Sequence, residues 1–161
     1  MVTWSIEVRD PEDDDARAAV VAYSAELDEL LGAASPTISD PDAGAYREPR
    51  GTFLVVVDDG KVHGCAALRV IEIEPYGPVA EVKRMWVSPY LRGQGAGRAM
   101  LERLHTDARD RGLTRVVLDS KRELLQARRL YLAAGYRDIA PYGDNADATM
   151  WMGLRLDGSG W

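Results

Sequence analysis

The sequence predicts an α/β fold built on a mixed sheet, and three observations predict it. Strand-type and helix-type periodicities alternate in the order strand, helix, three strands, helix, strand, helix, two strands. The three central strands are joined by short turns, which makes them antiparallel neighbours. No internal repeat, low-complexity tract or linker divides the 161 residues, so one domain is expected over residues 1–161.

Each element has its own signal. Residues 3–8 alternate as a short strand. Asp10-Pro11-Glu12-Asp13-Asp14-Asp15 suits a helix cap and first turn, and apolar positions 19, 20, 23, 27, 30 and 31 then follow helical spacing as far as Gly32. Residues 33–51 hold three prolines and few apolar side chains and read as a long loop with room for one short helix. Strands at 52–57 and 62–73 flank Asp58-Asp59-Gly60-Lys61, where Asp-Gly supplies the positive φ of a tight turn. A second turn at 74–78 leads into a strand at 79–87, closed by Ser88-Pro89. Gly95 to Arg111 is a helix with Met100, Leu101, Leu104 and Ala108 on its inner stripe, ended by Gly112. A buried strand at 114–119 follows, then a helix from Leu124 to Ala134 with Ala127, Leu130, Tyr131 and Ala134 inward. Closing strands are expected at 136–139 and 148–156.

Composition narrows the function. Twenty Lys+Arg against 26 Asp+Glu give a net charge of −6, which argues against nonspecific nucleic-acid binding. No apolar run reaches the length of a membrane span, and the N-terminus lacks a basic-then-apolar signal pattern. One cysteine and two histidines point to no metal site and no disulfide, so a cytoplasmic protein is expected. The charge is unevenly spread: residues 1–80 hold 6 basic and 16 acidic side chains (−10), and residues 81–161 hold 14 and 10 (+4).

Between strand and helix lies Arg92-Gly93-Gln94-Gly95-Ala96-Gly97. Glycines there let backbone N–H groups approach a ligand, and the helix N-terminus adds partial positive charge, which suits a pyrophosphate. A nucleoside-triphosphate loop is excluded because Gly97 is followed by Arg98-Ala99. A dinucleotide fingerprint fails as well, since Gly93 is answered by Arg98 and Gly95 by Met100.

The segments Glu81-Val-Lys-Arg-Met-Trp-Val87, Pro89-Tyr-Leu-Arg-Gly-Gln-Gly-Ala-Gly-Arg98 and Ala127-Arg-Arg-Leu-Tyr-Leu-Ala-Ala-Gly-Tyr136, at this spacing, resemble the GNAT family of acyl-CoA-dependent N-acyltransferases. The resemblance implies a GNAT-like fold over about residues 3–156, a single domain whose central mixed sheet splays open beside its long strand. It further implies acetyl-CoA as co-substrate, no metal, and cofactor contacts from Met85-Trp86-Val87 (pantetheine) and from Arg92, Gly93, Gln94, Gly95, Ala96, Gly97 and Arg98 (phosphates). Leu124 departs from the pattern, because many relatives carry Asn near that position.

Aminolysis of a thioester needs a base for the amine and a proton for the departing thiolate. Glu81 stands eleven residues before Arg92, the offset at which some family members place their base. Its other reading is a strand glutamate paired with Lys83 or Arg84; alternation puts Glu81 and Lys83 on one face and Arg84 on the other. By resemblance Tyr131 is the general acid, since a phenol with a pKa of about 10 keeps its proton at working pH; its other reading is an inward-facing aromatic on an apolar stripe. Arg98, Arg128 and Arg129 are either phosphate contacts or solvated helix charges. Tyr136 and Cys65 read as packing, His63 and His105 as surface residues, and Trp86 and Trp151 as core or cleft wall.

The expected reaction is acetyl transfer from acetyl-CoA to a primary amine of a small molecule by direct attack in a ternary complex. The acceptor would be held by the first helix, the loop at 33–51 and the turns at 74–79 and 140–147, where acidic residues favour a cationic amine. Protein or peptide N-acetylation and a non-catalytic acyl-CoA-binding regulator are the competing readings. A second copy of the chain (a homodimer) is a further candidate partner.

Overall fold

The computed structural model describes residues 3–32 and 43–161. One sheet has the strand order β1-β2-β3-β4-β5-β7-β6. Its strands are β1 (Ser5–Val8), β2 (Gly51–Asp58), β3 (Lys61–Ile73), β4 (Gly77–Val87), β5 (Arg115–Ser120), β6 (Arg137–Asp138) and β7 (Met150–Arg155). The helices are α1 (Asp14–Leu31), α2 (Ala96–Asp110) and α3 (Leu125–Ala133), with a 3-10 turn at Ala43–Tyr46. That turn is the short helix expected within 33–51, whereas residues 33–42 lie outside the described residues. No helix among the described residues is long and apolar enough to cross a membrane.

Every neighbouring pair is antiparallel except β4 and β5, so the sheet is mixed as the sequence predicts. Two apolar clusters cover its faces. On one, Leu54, Ala66, Leu68, Val82, Val116 and Leu118 pack against Met100, Leu101, Leu104 and Ala108 of α2 and against Tyr131 of α3. Each buried Leu or Met contributes about 1.5–3 kcal/mol there. On the other, Ala16 and Ala19 of α1 close over Phe53, Val55, Cys65 and Ala67. Strand alternation divides the two sets: Leu54, Val56, Ala66 and Leu68 face α2, and Phe53, Val55, Cys65 and Ala67 face α1.

Two features of β4 make the site. Cys65 pairs with Trp86 and Ala67 with Lys83, so β4 carries an extra residue against β3, and Arg84 takes up the irregularity at φ +56°. A bulge reverses the alternation beyond it. Arg84 consequently joins Glu81 and Lys83 on the α1 face, its guanidinium 5.7 Å from the Tyr46 ring centroid, which corrects the expectation that it faces the opposite way. Past the bulge Met85 and Val87 pack on the α2 side, and Trp86 packs on the α1 side. The second feature is a parting of strands. β4 and β5 pair only at Ala80↔Val116 and Glu81↔Val117, while β5 pairs with β7 all the way from Arg115 to Ser120. From Val82 onward no strand among the described residues pairs with the β5-facing edge of β4, which is open there.

Two expectations are corrected elsewhere. The strand foreseen at 136–139 shrinks to Arg137–Asp138, because Tyr136 turns fully into the core, 5.7 Å from the Tyr131 ring. His105 is buried rather than on the surface: its Nε2 meets the Tyr136 hydroxyl at 2.7 Å, and burial depresses its pKa to about 4. His63 is half-buried and stacks on Tyr90 with centroids 4.5 Å apart.

Candidate active site

The parting of β4 from β5 opens into a cleft of about 680 Å³ between α1, β4, α2 and α3. Of the residues singled out in the sequence, Met85, Trp86, Val87, Arg92, Gly93, Gly95, Ala96, Gly97, Arg98 and Tyr131 line it; Gln94 and Glu81 do not. The β4–α2 loop is pinned by Leu91, which is buried in the α2-side core. Arg92 strengthens the turn by donating Nε–H to the Val87 carbonyl at 2.9 Å.

Gly93 and Gly95 have φ of +79° and +84°, a region that side chains with a Cβ rarely enter. A Cβ on either would meet nothing within 4 Å, so backbone conformation, and not space, demands glycine there. The first turn of α2 closes with Ala99 N–H donating to the Gly95 carbonyl at 3.0 Å. Helix geometry then leaves the amides of Ala96, Gly97 and Arg98 without intrahelical acceptors, directed toward the cleft end. Together with the open edge of β4, these donors and the cleft volume fit an extended, phosphate-bearing acyl carrier.

Tyr131 forms part of the inner wall and is 5% exposed. Burial, and secondarily nearby Tyr23, raises its pKa well above the ordinary phenol value, so it holds its proton across the physiological range. Leu124 lines the cleft as the residue before α3. Arg98 and Arg129 also line it, whereas Arg128 turns away to a two-bond pair with Asp138, both bonds at 2.9 Å. Cys65 is buried, with its thiol pushed up to about 12 by burial, and its Sγ–H donates to the Arg84 carbonyl; it is a packing residue.

Glu81 sits on the α1 face at the base of the parting, 2% exposed. Its Oε1 accepts from Arg69 Nε at 2.7 Å and its Oε2 from the Tyr142 hydroxyl at 2.8 Å, with Lys83 Nζ 3.8 Å away. Lys83 reaches on to Asp119 at 3.4 Å, and Asn145 donates to the same carboxylate at 3.0 Å. Among the partners expected for Glu81, Lys83 is found; the principal one is Arg69, its cross-strand neighbour, in place of Arg84. Burial, then the adjacent Glu81, pushes the Tyr142 hydroxyl well above its ordinary pKa. The 140–147 segment thus meets the site through Tyr142 and Asn145. The β3–β4 turn does not: Tyr76 packs edge-on to Trp161, 5.2 Å away, with Arg115 above it at 4.2 Å.

Sequence reasoning missed Tyr23 and Glu26 of α1, both of which line the cleft. Burial, then the nearby Cys65 thiol, raises Tyr23 to about 12. Glu26 accepts bonds from the Trp86 indole at 2.5 Å and from Arg92 Nη2 at 2.6 Å. Position 23 belongs to the apolar stripe read from the sequence, yet only the crossing of α1 over β4 shows that its hydroxyl end reaches the cleft. No group of three or more His, Cys, Asp or Glu side chains placed to hold a metal ion occurs among the described residues.

Comparison with known proteins agrees with this architecture. Residues 8–136 match the sequence model of the acetyltransferase (GNAT) family. An IAA acetyltransferase of Azospirillum brasilense is 40% identical over 129 residues, 78% of this chain and 81% of the relative. An aminoglycoside N(6')-acetyltransferase type 1 of Klebsiella aerogenes is 31% identical over 104 residues, 61% of this chain and 66% of the relative. Among solved structures, a candidate acyl-CoA N-acyltransferase from Klebsiella pneumoniae superposes with a TM-score of 0.71 at 25% identity, covering 95% of this chain and 97% of that one. The chain belongs to the GNAT family and is an acetyl-CoA-dependent acyltransferase.

Proposed function

We propose that this enzyme moves the acetyl group of acetyl-CoA to a primary amine of a small molecule, by direct attack in a ternary complex. The observation that carries the reading is the open edge of β4, which leads from the free amides of α2 to the buried hydroxyl of Tyr131. The relative named an aminoglycoside N(6')-acetyltransferase supports a small amine acceptor. When bound, acetyl-CoA supplies an activated thioester carbonyl and a sulfur leaving group.

The chain's own groups divide the remaining work. Amides of Arg92, Gly93 and Gly95 to Arg98 would hold the phosphates, and those of Met85 and Val87 would hold the pantetheine arm along β4. Tyr131 Oη–H provides the proton that the leaving sulfur requires, because its raised pKa keeps it protonated. On the acceptor side Tyr142 passes its proton to Glu81 Oε2, 2.8 Å away, while taking one from the amine through solvent. Direct attack needs no nucleophile on the enzyme, and the buried Cys65 thiol is unsuited to be one.

The test is release of CoA thiol with a panel of small amines, alongside peptides bearing free N-termini or lysine. Turnover on small amines, lowered about 100-fold or more in Glu81→Gln and Tyr131→Phe with CoA affinity retained, supports the assignment. Turnover confined to peptides overturns the small-molecule acceptor, and unchanged rates in both variants overturn the proton roles.

A further inference from the structure

The cleft that would receive a polyanion has a carboxylate in its wall. Glu26 on α1 is 20% exposed in its side chain, and both of its oxygens accept from Arg92 Nη2, one of them also from the Trp86 indole. Arg92 is anchored independently to β4 through the Val87 carbonyl, so this ion pair ties the C-terminal half of α1 across the cleft to the glycine loop. All three side chains line the cleft, as do Leu27, Leu30 and Leu31 of the same helix, and Leu30 is 64% exposed.

We infer that Glu26 is a positioning residue that acts as an internal substitute anion: it holds Arg92 and closes α1 toward the loop until a coenzyme phosphate displaces it. The inference rests on the coenzyme reading of this cleft given above. Both Glu26 oxygens converge on one guanidinium nitrogen, Arg92 Nη2, which would equally donate to a phosphate oxygen, so the two anions compete for that donor. Glu26 also places a negative charge where a multiply charged anion must settle, which weakens binding through like-charge repulsion. Release of Glu26 frees the α1 wall. Trp86 keeps an acceptor for its indole in either state if the freed carboxylate stays beside it.

The experiment is calorimetric titration of the full chain with CoA, comparing wild type with Glu26→Gln, which keeps an acceptor for Trp86 but removes the charge. The expected result is a Kd lower by about three- to tenfold in Glu26→Gln, with the gain shrinking at high salt. An unchanged or raised Kd overturns the inference while leaving the coenzyme site intact. Failure of wild-type protein to bind CoA overturns the coenzyme reading and this inference together. A crystal structure of the wild-type CoA complex gives a second reading that needs no variant: Arg92 turned from Glu26 to a phosphate supports the latch, and the pair unbroken overturns it.

Discussion

The β4–α2 segment offers backbone groups to its cleft, whereas Glu81, on the other side of the same strand, is surrounded by side chains that already bind one another. In the first region the donors are amides freed by a helix start and by the parting of two strands, and they persist when most side chains change. In the second, Arg69, Lys83, Tyr142, Asn145 and Asp119 satisfy one another around a carboxylate that solvent barely reaches. A site built of backbone fails only where conformation fails. A site built of mutually dependent side chains fails whenever one member is lost, because the others are left buried without partners.

That contrast can be broken at several points. Tyr131→Phe removes one oxygen from the cleft wall, so kcat is expected to fall about 100-fold while CoA affinity stays within about twofold; steady-state kinetics with calorimetry measures the split. Glu81→Ala strands Arg69, Lys83 and Tyr142. A loss of about 2–3 kcal/mol, or about 5–10 °C in Tm, is expected by thermal denaturation, and Tyr131→Phe should show no comparable loss.

Behind the cleft wall, His105 gives a pH test. Its folded-state pKa of about 4 lies below the ordinary value of 6.5, so as pH falls the unfolded chain takes the proton first. The contribution of the neutral ring is complete above about pH 6.5 and is lost as pH falls toward about 4, amounting to about 2 kcal/mol by pH 5. Melting at pH 7 and pH 5 should show this slope in wild type and a flatter one in His105→Gln, which keeps a partner for the Tyr136 hydroxyl.

The smallest effect separates the glycines. Gly95→Ala forces a Cβ into the left-handed region at a cost of about 1 kcal/mol and should weaken CoA binding about fivefold. In Gly97→Ala the new methyl meets Leu130 Cδ2 and Val87 Cγ2 at an ordinary 3.5 Å, so little change is expected. Equal losses in the two variants would show that space, and not backbone conformation, sets the loop.

The backbone-built region was largely legible in the sequence, because Arg92 to Gly97 between a strand and a helix declares its geometry locally through glycine conformations and a helix start. Helices and hairpins were legible for the same reason: their signals lie within a few residues, as at Asp58 to Lys61 or along Met100, Leu104 and Ala108. The side-chain network was not. Arg69 meets Glu81 through strand register, Tyr142 reaches it from a loop 61 residues away, and the bulge at Arg84 reverses a face that alternation alone would assign wrongly. His105 was misread because a polar residue on a helix gives no local sign that a tyrosine hydroxyl waits for it in the core.

By itself, then, the amino-acid sequence determined the order of strands and helices, the glycine loop, and the positive surplus of its second half. Periodicity and turn chemistry act over short chain distances, so they can be read there. Tertiary structure alone decided where β4 leaves β5, which partners Glu81 keeps, and that Glu26 of α1 meets Arg92 across the cleft. Those outcomes depend on register, twist and helix crossing, which arise only when distant segments pack.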